Sequence, residues 1–343
     1  MSALVEVEEV SKRFAPRLTF GERIAARLGS TIETRTVHAL DRVSLTIGAG
    51  EVVGLVGESG CGKSTLGRVI AGILPPTSGS ARIAGEPVMV GRRPVKRTTR
   101  VQMVFQDPFA SLDPRMRVGR TIAEGPVAHG LVSQAGAAAY VARWLEAVGL
   151  DPDFASRFPH QFSGGQRQRI AIARALAMQP DVIVCDEPVA SLDVSIQAQI
   201  INLFLKLRRE LGLTMLFISH DLGVVRHVSD RIAIMYLGRI VEIGAARRVY
   251  ANPLHPYTRA LLDSVPKLVL EDDEIVSFKA IRGELPSALS PPAGCHFHLR
   301  CPHAVDRCRS EIPSLRAIEA AHSAACHLAP LEHVPLVPAQ EAV

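Results

Sequence analysis

A glycine-rich segment with one lysine offers the first recognisable chemistry. The segment fits G-x-x-x-x-G-K-[ST] and consists of Gly57, Glu58, Ser59, Gly60, Cys61, Gly62, Lys63, Ser64 and Thr65. Residues 51–56 before it read as a buried strand and residues 64–71 as a helix, which is the setting that a phosphate loop requires. Backbone N–H groups then converge on phosphate oxygens at the helix start. We expect Lys63 to reach the β- and γ-phosphates of a nucleotide, Ser64 to ligate Mg²⁺ and Thr65 to add a phosphate hydrogen bond.

Polar residues also follow three apolar stretches. Asp186 and Glu187 end the apolar run 182–185, which reads as a strand buried on both faces of a parallel sheet. Gln106 and His220 follow two further predicted strands in the same way. Side chains at the carboxyl ends of parallel strands face the ligand crevice. A lone carboxylate or histidine at such a place is more often structural, and it is their joint spacing that favours a functional reading.

A second anion site is predicted at Ser163, Gly164, Gly165 and Gln166, which lead into a helix over 167–178. Ser163 stands at the N-cap, where a hydroxyl accepts backbone N–H groups and leaves others free for an anion.

The elements that must position these residues alternate between strand and helix, which is typical of α/β folds. Residues 4–10 and 43–47 read as strands that pair across an insertion at 15–38. The insertion has apolar residues at every fourth position, typical of an amphipathic helix. We favour a flap packed on its own domain over a membrane-docking helix. A mostly helical segment follows Gln106 and extends to about residue 150.

Composition limits the class of protein. The chain has 343 residues, 47% of them hydrophobic and 21% charged, as expected for a globular protein of about two units. No apolar run approaches the roughly 18 residues of a membrane span, and the N-terminus has no secretory pattern. The sequence therefore predicts a cytosolic protein. Its net charge of +5 is too small and scattered to indicate nucleic-acid binding, and its six cysteines do not predict disulfides in that compartment.

The order of these motifs resembles the ATP-binding-cassette ATPases over residues 4–245. The motifs are the phosphate loop, Gln106, Phe162-Ser163-Gly164-Gly165-Gln166, Asp186-Glu187, Ser191-Leu192-Asp193 and His220. Phe162 stands where leucine is usual. The resemblance implies an α/β fold with a P-loop cassette core. That core has a RecA-like mixed sheet with helices, an antiparallel β subdomain and a helical subdomain at about 107–165.

The resemblance also implies a role for each matched residue. Gln106 would sense Mg²⁺ and the γ-phosphate and touch the transmembrane partner, and Asp186 would orient Mg²⁺ through water. Glu187 would be the general base on the attacking water, and His220 would hold the γ-phosphate geometry. Phosphoryl transfer depends mainly on positioning and charge stabilisation, so one carboxylate beside a water, a lysine and a metal suffice.

In this family two cassettes sandwich two ATP molecules head to tail. Ser163, Gly164, Gly165 and Gln166 would contact the ATP of the opposite subunit, and Ser191, Leu192 and Asp193 form the D-loop. Phe14 is the candidate for stacking on adenine, with Val37 or His38 as alternatives.

The tail beyond residue 245 changes in composition and carries His255-Pro256-Tyr257. It resembles the C-terminal extension of the oligopeptide/dipeptide importer ATPases, which takes the resemblance to 4–328. We predict a cassette at 4–250, an extension at 251–330 and a disordered tail at 331–343.

Four cysteines of the extension are candidate metal ligands: Cys295, Cys301, Cys308 and Cys326. Five, six and seventeen residues separate them, a spacing that matches neither zinc ribbons nor bacterial ferredoxins. Some members of the resembled family hold an iron–sulfur cluster here, so the resemblance implies a [4Fe-4S] cluster. Zinc, with His296, His303 or His327 replacing a thiolate, and free buried thiols are the alternatives.

The expected function is ATP hydrolysis in the energy-coupling subunit of a peptide importer. Its implied cofactors are ATP and Mg²⁺. Its implied partners are a second cassette, identical or a sister chain, two transmembrane permease subunits and, indirectly, an external solute-binding protein, with no nucleic acid. Its expected location is the cytoplasmic face of the plasma (inner) membrane. The alternatives are a soluble cassette ATPase acting in DNA repair or on ribosomes, and a metal-cluster regulator that only senses ATP.

Overall fold

The computed structural model describes residues 3–15, 36–90, 95–96, 98–264, 281 and 283–330. Fourteen strands occur in this part of the chain. They are β1 (Ala3–Phe14), β2 (Val37–Gly48), β3 (Val52–Val56), β4 (Ser78–Ile83), β5 (Glu86–Pro87), β6 (Met89–Val90), β7 (Val95–Lys96), β8 (Val101–Val104), β9 (Val182–Asp186), β10 (Thr214–Ser219), β11 (Arg231–Tyr236), β12 (Arg239–Ala245), β13 (Arg316–Glu319) and β14 (His322–Ala324).

Ten α-helices occur in the same ranges. They are α1 (Lys63–Ile70), α2 (Pro108–Ser111), α3 (Val118–Ala128), α4 (Ala137–Ala147), α5 (Gly164–Ala177), α6 (Val194–Leu211), α7 (Leu222–Val228), α8 (Ala246–Ala251), α9 (Pro256–Asp263) and α10 (Asp306–Ser310). None of the helices in the described ranges is long and apolar enough to cross a bilayer.

The main sheet has eight strands in the order β13-β14-β12-β11-β3-β10-β9-β8. The five strands from β11 to β8 run parallel, and the pairs from β11 to β13 run antiparallel. Ser219 pairs with Val56, and its neighbour Ile218 pairs with Asp186. The carboxyl ends of β3, β9 and β10 therefore meet at one edge of the sheet, where a ligand crevice is expected.

A four-stranded antiparallel sheet in the order β2-β1-β4-β5 packs beside the main one. The pairing predicted between residues 4–10 and 43–47 is present, within longer strands. Val53 and Leu55 of β3 join the core that includes this second sheet, whereas Val52 and Val56 join the core under the helices. This alternation follows from the two-residue period of a strand, and it makes β3 buried on both faces.

The helical segment before residue 150 forms its own packed unit. Trp144 and Val148 are buried, and Tyr140 packs edge-on against Trp144 with ring centroids 6.2 Å apart. Their four-residue spacing places all three on one helical face.

Residues 316–324 of the extension add β14 and β13 to the edge of the main sheet through β12. Sequence analysis does not anticipate these strands. The predicted amphipathic helix in the insertion and the predicted disordered tail at 331–343 lie outside the described residues. Lys96 is half-buried and donates to the Val101 carbonyl at 2.7 Å.

Candidate functional site

The phosphate loop connects β3 to α1, as the sequence predicts. Gly62 has φ +110, and a Cβ there would lie 2.4 Å from the Ala39 carbonyl oxygen, so only glycine fits. Lys63 is buried at the start of α1, and its ammonium donates to the carbonyl oxygens of Gly57 (2.8 Å) and Glu58 (3.0 Å). The loop thus curls around the lysine and concentrates positive charge at the helix N-terminus.

Ser64 and Asp186, 122 positions apart in the chain, are in direct contact. The Ser64 hydroxyl donates to Asp186 Oδ1 at 2.7 Å. Burial raises the pKa of Asp186, while the hydrogen bond from Ser64 works in the opposite direction. Two hard oxygen donors beside Lys63 suit a magnesium ion that keeps several of its waters. In the described part of the chain, no group of three or more His, Cys, Asp or Glu residues is arranged to hold a metal ion.

Glu187 lies next to both predicted γ-phosphate residues. Its Oε2 accepts a hydrogen bond from Gln106 Nε2 at 3.0 Å and lies 3.3 Å from His220 Nδ1. Its backbone has φ +48, and its N–H donates to the Ile218 carbonyl at the end of β10. Gln106 and His220, which follow two other strands, therefore meet at the carboxylate of Glu187.

The signature and D-loop segments pack on each other. Ser163 caps α5 and accepts the Gln166 N–H at 3.4 Å, while Gln166 Oε1 accepts the Ser163 N–H at 3.0 Å, which makes a capping box. A Cβ on Gly165 would lie 2.6 Å from Ile196 Cγ2, and one on Gly164 would lie 3.5 Å from Leu192 Cδ2. Within the described residues no hydrogen bond or ion pair joins 163–166 to 57–65.

The remaining D-loop contacts fix the start of α6. Gln197 Nε2 donates to the Leu192 carbonyl at 2.9 Å, and Asp193 stands at the N-cap without a side-chain cap bond.

Phe14, the candidate for stacking on adenine, is the last residue of β1 and pairs with Val37 of β2. Phe14 is therefore part of the sheet. Its ring exposes 42% of its surface, and Lys12 Nζ lies 5.1 Å from the ring centroid. Phe14 and Val37, two of the three candidates, thus lie side by side, and Val37 is two residues before Ala39, whose carbonyl oxygen closely approaches Gly62.

The four extension cysteines gather in one region. Burial is the main cause of the raised pKa of Cys295 and of Cys301; the charges of Cys308 and Cys326 raise both further, and that of Cys295 also raises the pKa of Cys301. Burial raises the pKa of Cys295 to about 11 and that of Cys301 to about 12. Backbone N–H groups bond to three of the sulfurs, which favours the thiolate. His296 and His327 each bond a backbone carbonyl through one ring nitrogen.

Sequence reasoning missed two residues that contact the phosphate loop from the extension. Tyr257 Oη accepts the Glu58 N–H at 2.9 Å, and Arg300 binds the Glu58 carboxylate at 2.6 and 2.9 Å. The His-Pro-Tyr pattern marked Tyr257 without giving it a role. No local pattern could have connected Arg300 to a loop 242 positions away.

Comparison with known proteins agrees with this arrangement. Residues 40–190 match the family described as ABC transporter, and residues 241–308 match the one described as oligopeptide/dipeptide transporter, C-terminal region. The putative oligopeptide transport ATP-binding protein YkfD of Bacillus subtilis (strain 168) is 50% identical over 300 residues, covering 86% of this chain and 90% of the relative.

Two further matches come from other organisms. The di/tripeptide transport ATP-binding protein DppF of Pseudomonas aeruginosa (strain UCBPP-PA14) is 50% identical over 293 residues, covering 85% of this chain and 90% of its own. The solved structure of cbiO1 from Clostridium perfringens, part of the ABC transporter complex cbiONQ, superposes with a TM-score of 0.58 at 28% identity, covering 73% of this chain and 92% of that one. The chain therefore belongs to the ABC transporter family of ATPases and carries the C-terminal region of oligopeptide/dipeptide transporters.

Proposed function

We propose that this chain is the ATP-hydrolysing, energy-coupling subunit of a membrane importer for peptides or related solutes such as nickel complexes or glutathione. The observation that carries the proposal is the meeting of Ser64, Asp186, Gln106, Glu187 and His220 at one sheet edge beside the phosphate loop. The relatives named above are peptide-transport ATP-binding proteins, which favours transport over a soluble cassette ATPase.

The arrangement supports a division of labour among the site residues. Lys63 binds the β- and γ-phosphates in place of the two loop carbonyls that it contacts. Glu187 accepts the proton of the attacking water, since its carboxylate is fixed by Gln106 and lies beside His220. His220 and Gln106 orient that water and the γ-phosphate. This placement of charges is what a loose phosphoryl-transfer transition state requires.

The adjacent oxygens of Ser64 and Asp186 fit Mg²⁺, with Gln106 reaching the same edge of the sheet. The bound ion supplies charge neutralisation on the β- and γ-phosphates. Ser64 would provide a ligand from the loop, and Asp186 would hold the ion through water. The buried Asp186 carboxyl, whose pKa is raised, stays ionised more readily once a cation is beside it.

We further propose that ATP lies between this phosphate loop and the signature segment 163–166 of a second cassette. Support comes from the lack of any bond between 163–166 and 57–65 within the described residues, together with the N-terminus of α5, which Ser163 caps and which suits an anion. The proposed setting is a pair of cassettes at the cytoplasmic face of the plasma (inner) membrane, bound to two permease subunits and served by an external solute-binding protein. The proposed division is a cassette at 4–250, with its helical subdomain at about 107–165, and an extension at 251–330.

Uptake by cells tests the substrate class. A strain lacking this chain is assayed with labelled dipeptide, a longer peptide and nickel, and is complemented with the wild type or with Glu187→Gln. We expect wild type alone to restore peptide uptake. Restoration by Glu187→Gln contradicts the hydrolytic role, and restoration of nickel uptake alone moves the substrate class from peptides to metal complexes.

We also propose that Cys295, Cys301, Cys308 and Cys326 hold an iron–sulfur cluster. Backbone N–H groups on three of the sulfurs support the proposal, because hydrogen bonds to sulfur stabilise and tune clusters. Thiols whose pKa is raised stay protonated unless a cation binds, so loading releases protons.

Elemental analysis of the purified protein separates the three possibilities for these cysteines. A cluster predicts iron, acid-labile sulfide and brown absorbance, all of which are lost in a Cys308→Ser variant. Zinc without iron favours the histidine-assisted site, and the absence of both metals with four titratable thiols favours free cysteines.

A further inference from the structure

Glu58 receives two groups from the C-terminal extension. It is the second residue of the phosphate loop, and its backbone carbonyl accepts the Lys63 ammonium at 3.0 Å. Its N–H donates to Tyr257 Oη, and its two carboxylate oxygens accept Arg300 Nη1 (2.6 Å) and Nη2 (2.9 Å). The extension therefore holds both the backbone and the side chain of a residue inside the ATP-phosphate cradle.

The groups that hold Glu58 are themselves rigid. Tyr257 is fully buried, and its ring packs against Tyr236 and Phe297 with centroids 4.7 and 5.3 Å away. Arg300 also reaches Tyr236 Oη at 3.4 Å, and its side chain is only 4% exposed. A buried, bidentate arginine loses little further freedom when it binds a carboxylate, so the pair has fixed geometry.

The charge of this pair matters because of where it lies. ATP brings several negative charges to the loop that contains Glu58. The Glu58 side chain is 26% exposed, so solvent screens it only in part. An uncompensated carboxylate here would repel the triphosphate, and the guanidinium of Arg300 cancels that charge.

We propose that Arg300 is a positioning residue for ATP that acts through Glu58: its guanidinium neutralises the Glu58 carboxylate, so that the triphosphate binds to the loop. The inference rests on the proposed ATP site at 57–65. It gives the extension a direct part in nucleotide affinity, because Arg300 belongs to the extension. Arg300 lies in a turn in which its N–H donates to the Phe297 carbonyl, and Cys301 follows it directly. Any change that moves this turn changes the charge beside the phosphates.

We call the Arg300–Glu58 ion pair the clamp. If it acts through charge, substitutions of its two residues have opposite effects on MgATP affinity. Arg300→Met leaves a bare carboxylate in the loop and should weaken MgATP binding by on the order of tenfold, more at low ionic strength. Glu58→Gln removes the carboxylate and should leave affinity equal to or higher than that of the parent. The double variant should recover affinity to within about threefold of the parent, whereas a purely structural role predicts that both single variants and their combination weaken binding.

The measurement is equilibrium binding of MgATP to the full-length chain in a Glu187→Gln background, so that turnover does not interfere. Arg307→Met is the matched control, because it removes an exposed arginine that pairs with Glu311 in the same extension. Unchanged affinity in Arg300→Met, or a double variant no better than Arg300→Met, overturns the proposal. If Arg300→Met does not fold, Glu58→Gln decides alone, and a clear loss of affinity there overturns it.

Lys63→Ala separates this inference from the proposed site. Lost binding in Lys63→Ala with unchanged binding in Arg300→Met rejects the clamp and keeps the phosphate loop. Unchanged binding in both rejects the ATP site and the clamp together.

Discussion

Glu187 has the geometry expected of a general base held for one reaction. Its positive φ is unusual for a residue with a side chain, and such strain is found where surrounding structure fixes a functional group. Gln106 and His220 contact the same oxygen, Oε2, which leaves Oε1 without a bond among the described residues. A water bound at Oε1 would therefore meet an acceptor that Gln106 and His220 hold in place.

Glu187→Gln tests this role. The amide keeps the size of the carboxyl group but cannot take a proton, so we expect MgATP affinity within about threefold of wild type and turnover lower by at least about 100-fold. Steady-state hydrolysis and equilibrium binding measure the two quantities. Glu146→Gln, an exposed change on α4, serves as the control. Turnover within about twofold of wild type would exclude Glu187 as the base.

At the scale of single residues, the sequence predicts much of the site because each motif is formed by neighbouring residues. The phosphate loop and the N-cap at Ser163 were predicted from neighbouring residues alone and are present; the capping box with Gln166 was not predicted. The rule about strand ends placed Asp186 at the ligand crevice, but its contact with Ser64 was not predicted, because only the folded sheet brings these two residues together.

Close approach of two helices shapes the signature segment. The Gly165 position meets Ile196 Cγ2 of α6 at a distance that no Cβ tolerates, whereas Gly164 has room for one. Ile196 is β-branched and cannot swing aside without leaving its preferred rotamer. Packing against α6 therefore requires glycine at position 165 but not at position 164.

We expect Gly165→Ala to lower the free energy of unfolding by about 1–3 kcal/mol through overpacking. Gly164→Ala is the matched control and should change it by less than about 0.5 kcal/mol. Ile196→Ala combined with Gly165→Ala should recover part of the loss, because it removes the methyl group that the new Cβ meets. Urea denaturation of the full chain measures all three, and equal effects of the two glycine variants would contradict the packing argument.

A buried histidine caps the first helix of the extension. His255 Nδ1 accepts the Tyr257 N–H at 3.0 Å at the start of α9. Burial lowers the pKa of His255 to about 4, and only Glu242, which accepts the His255 N–H at 2.8 Å and bonds His322, opposes the shift. The neutral ring is thus the form that the fold requires, because a protonated Nδ1 could not accept the cap bond.

This cap predicts acid sensitivity. Between the ordinary histidine pKa of about 6.5 and the folded value of about 4, the unfolded chain binds a proton that the folded chain does not. The free energy of unfolding should therefore fall with decreasing pH across this window, by up to about 3 kcal/mol. His255→Asn keeps a cap acceptor without a titrating group and should flatten the slope.

Thermal unfolding from pH 8 to pH 4 measures the effect, with the exposed His129→Asn as control. An unchanged slope in His255→Asn would show that other groups carry the acid sensitivity.

At the scale of the whole molecule, the extension is built into the cassette. Its strands β13 and β14 continue the main sheet, the buried Glu242–His322 pair (2.7 Å) joins them to β12, and Arg300 binds Glu58. Composition and motifs predicted the α/β cassette and marked the extension as distinct. They could not predict how the two meet, because these contacts join positions about 80 to 240 apart and leave no periodic pattern in the sequence.

The most direct test of the central claim, that this chain hydrolyses ATP to drive peptide import, uses the complete transporter in vesicles. ATP hydrolysis and labelled-peptide uptake are measured together, with the solute-binding protein and permease present, for wild type and Glu187→Gln. We predict that peptide raises hydrolysis and uptake together in the wild type and that both fall at least about 100-fold in the variant. Peptide uptake at the wild-type rate in Glu187→Gln, or ATP hydrolysis that no peptide stimulates, would contradict the account.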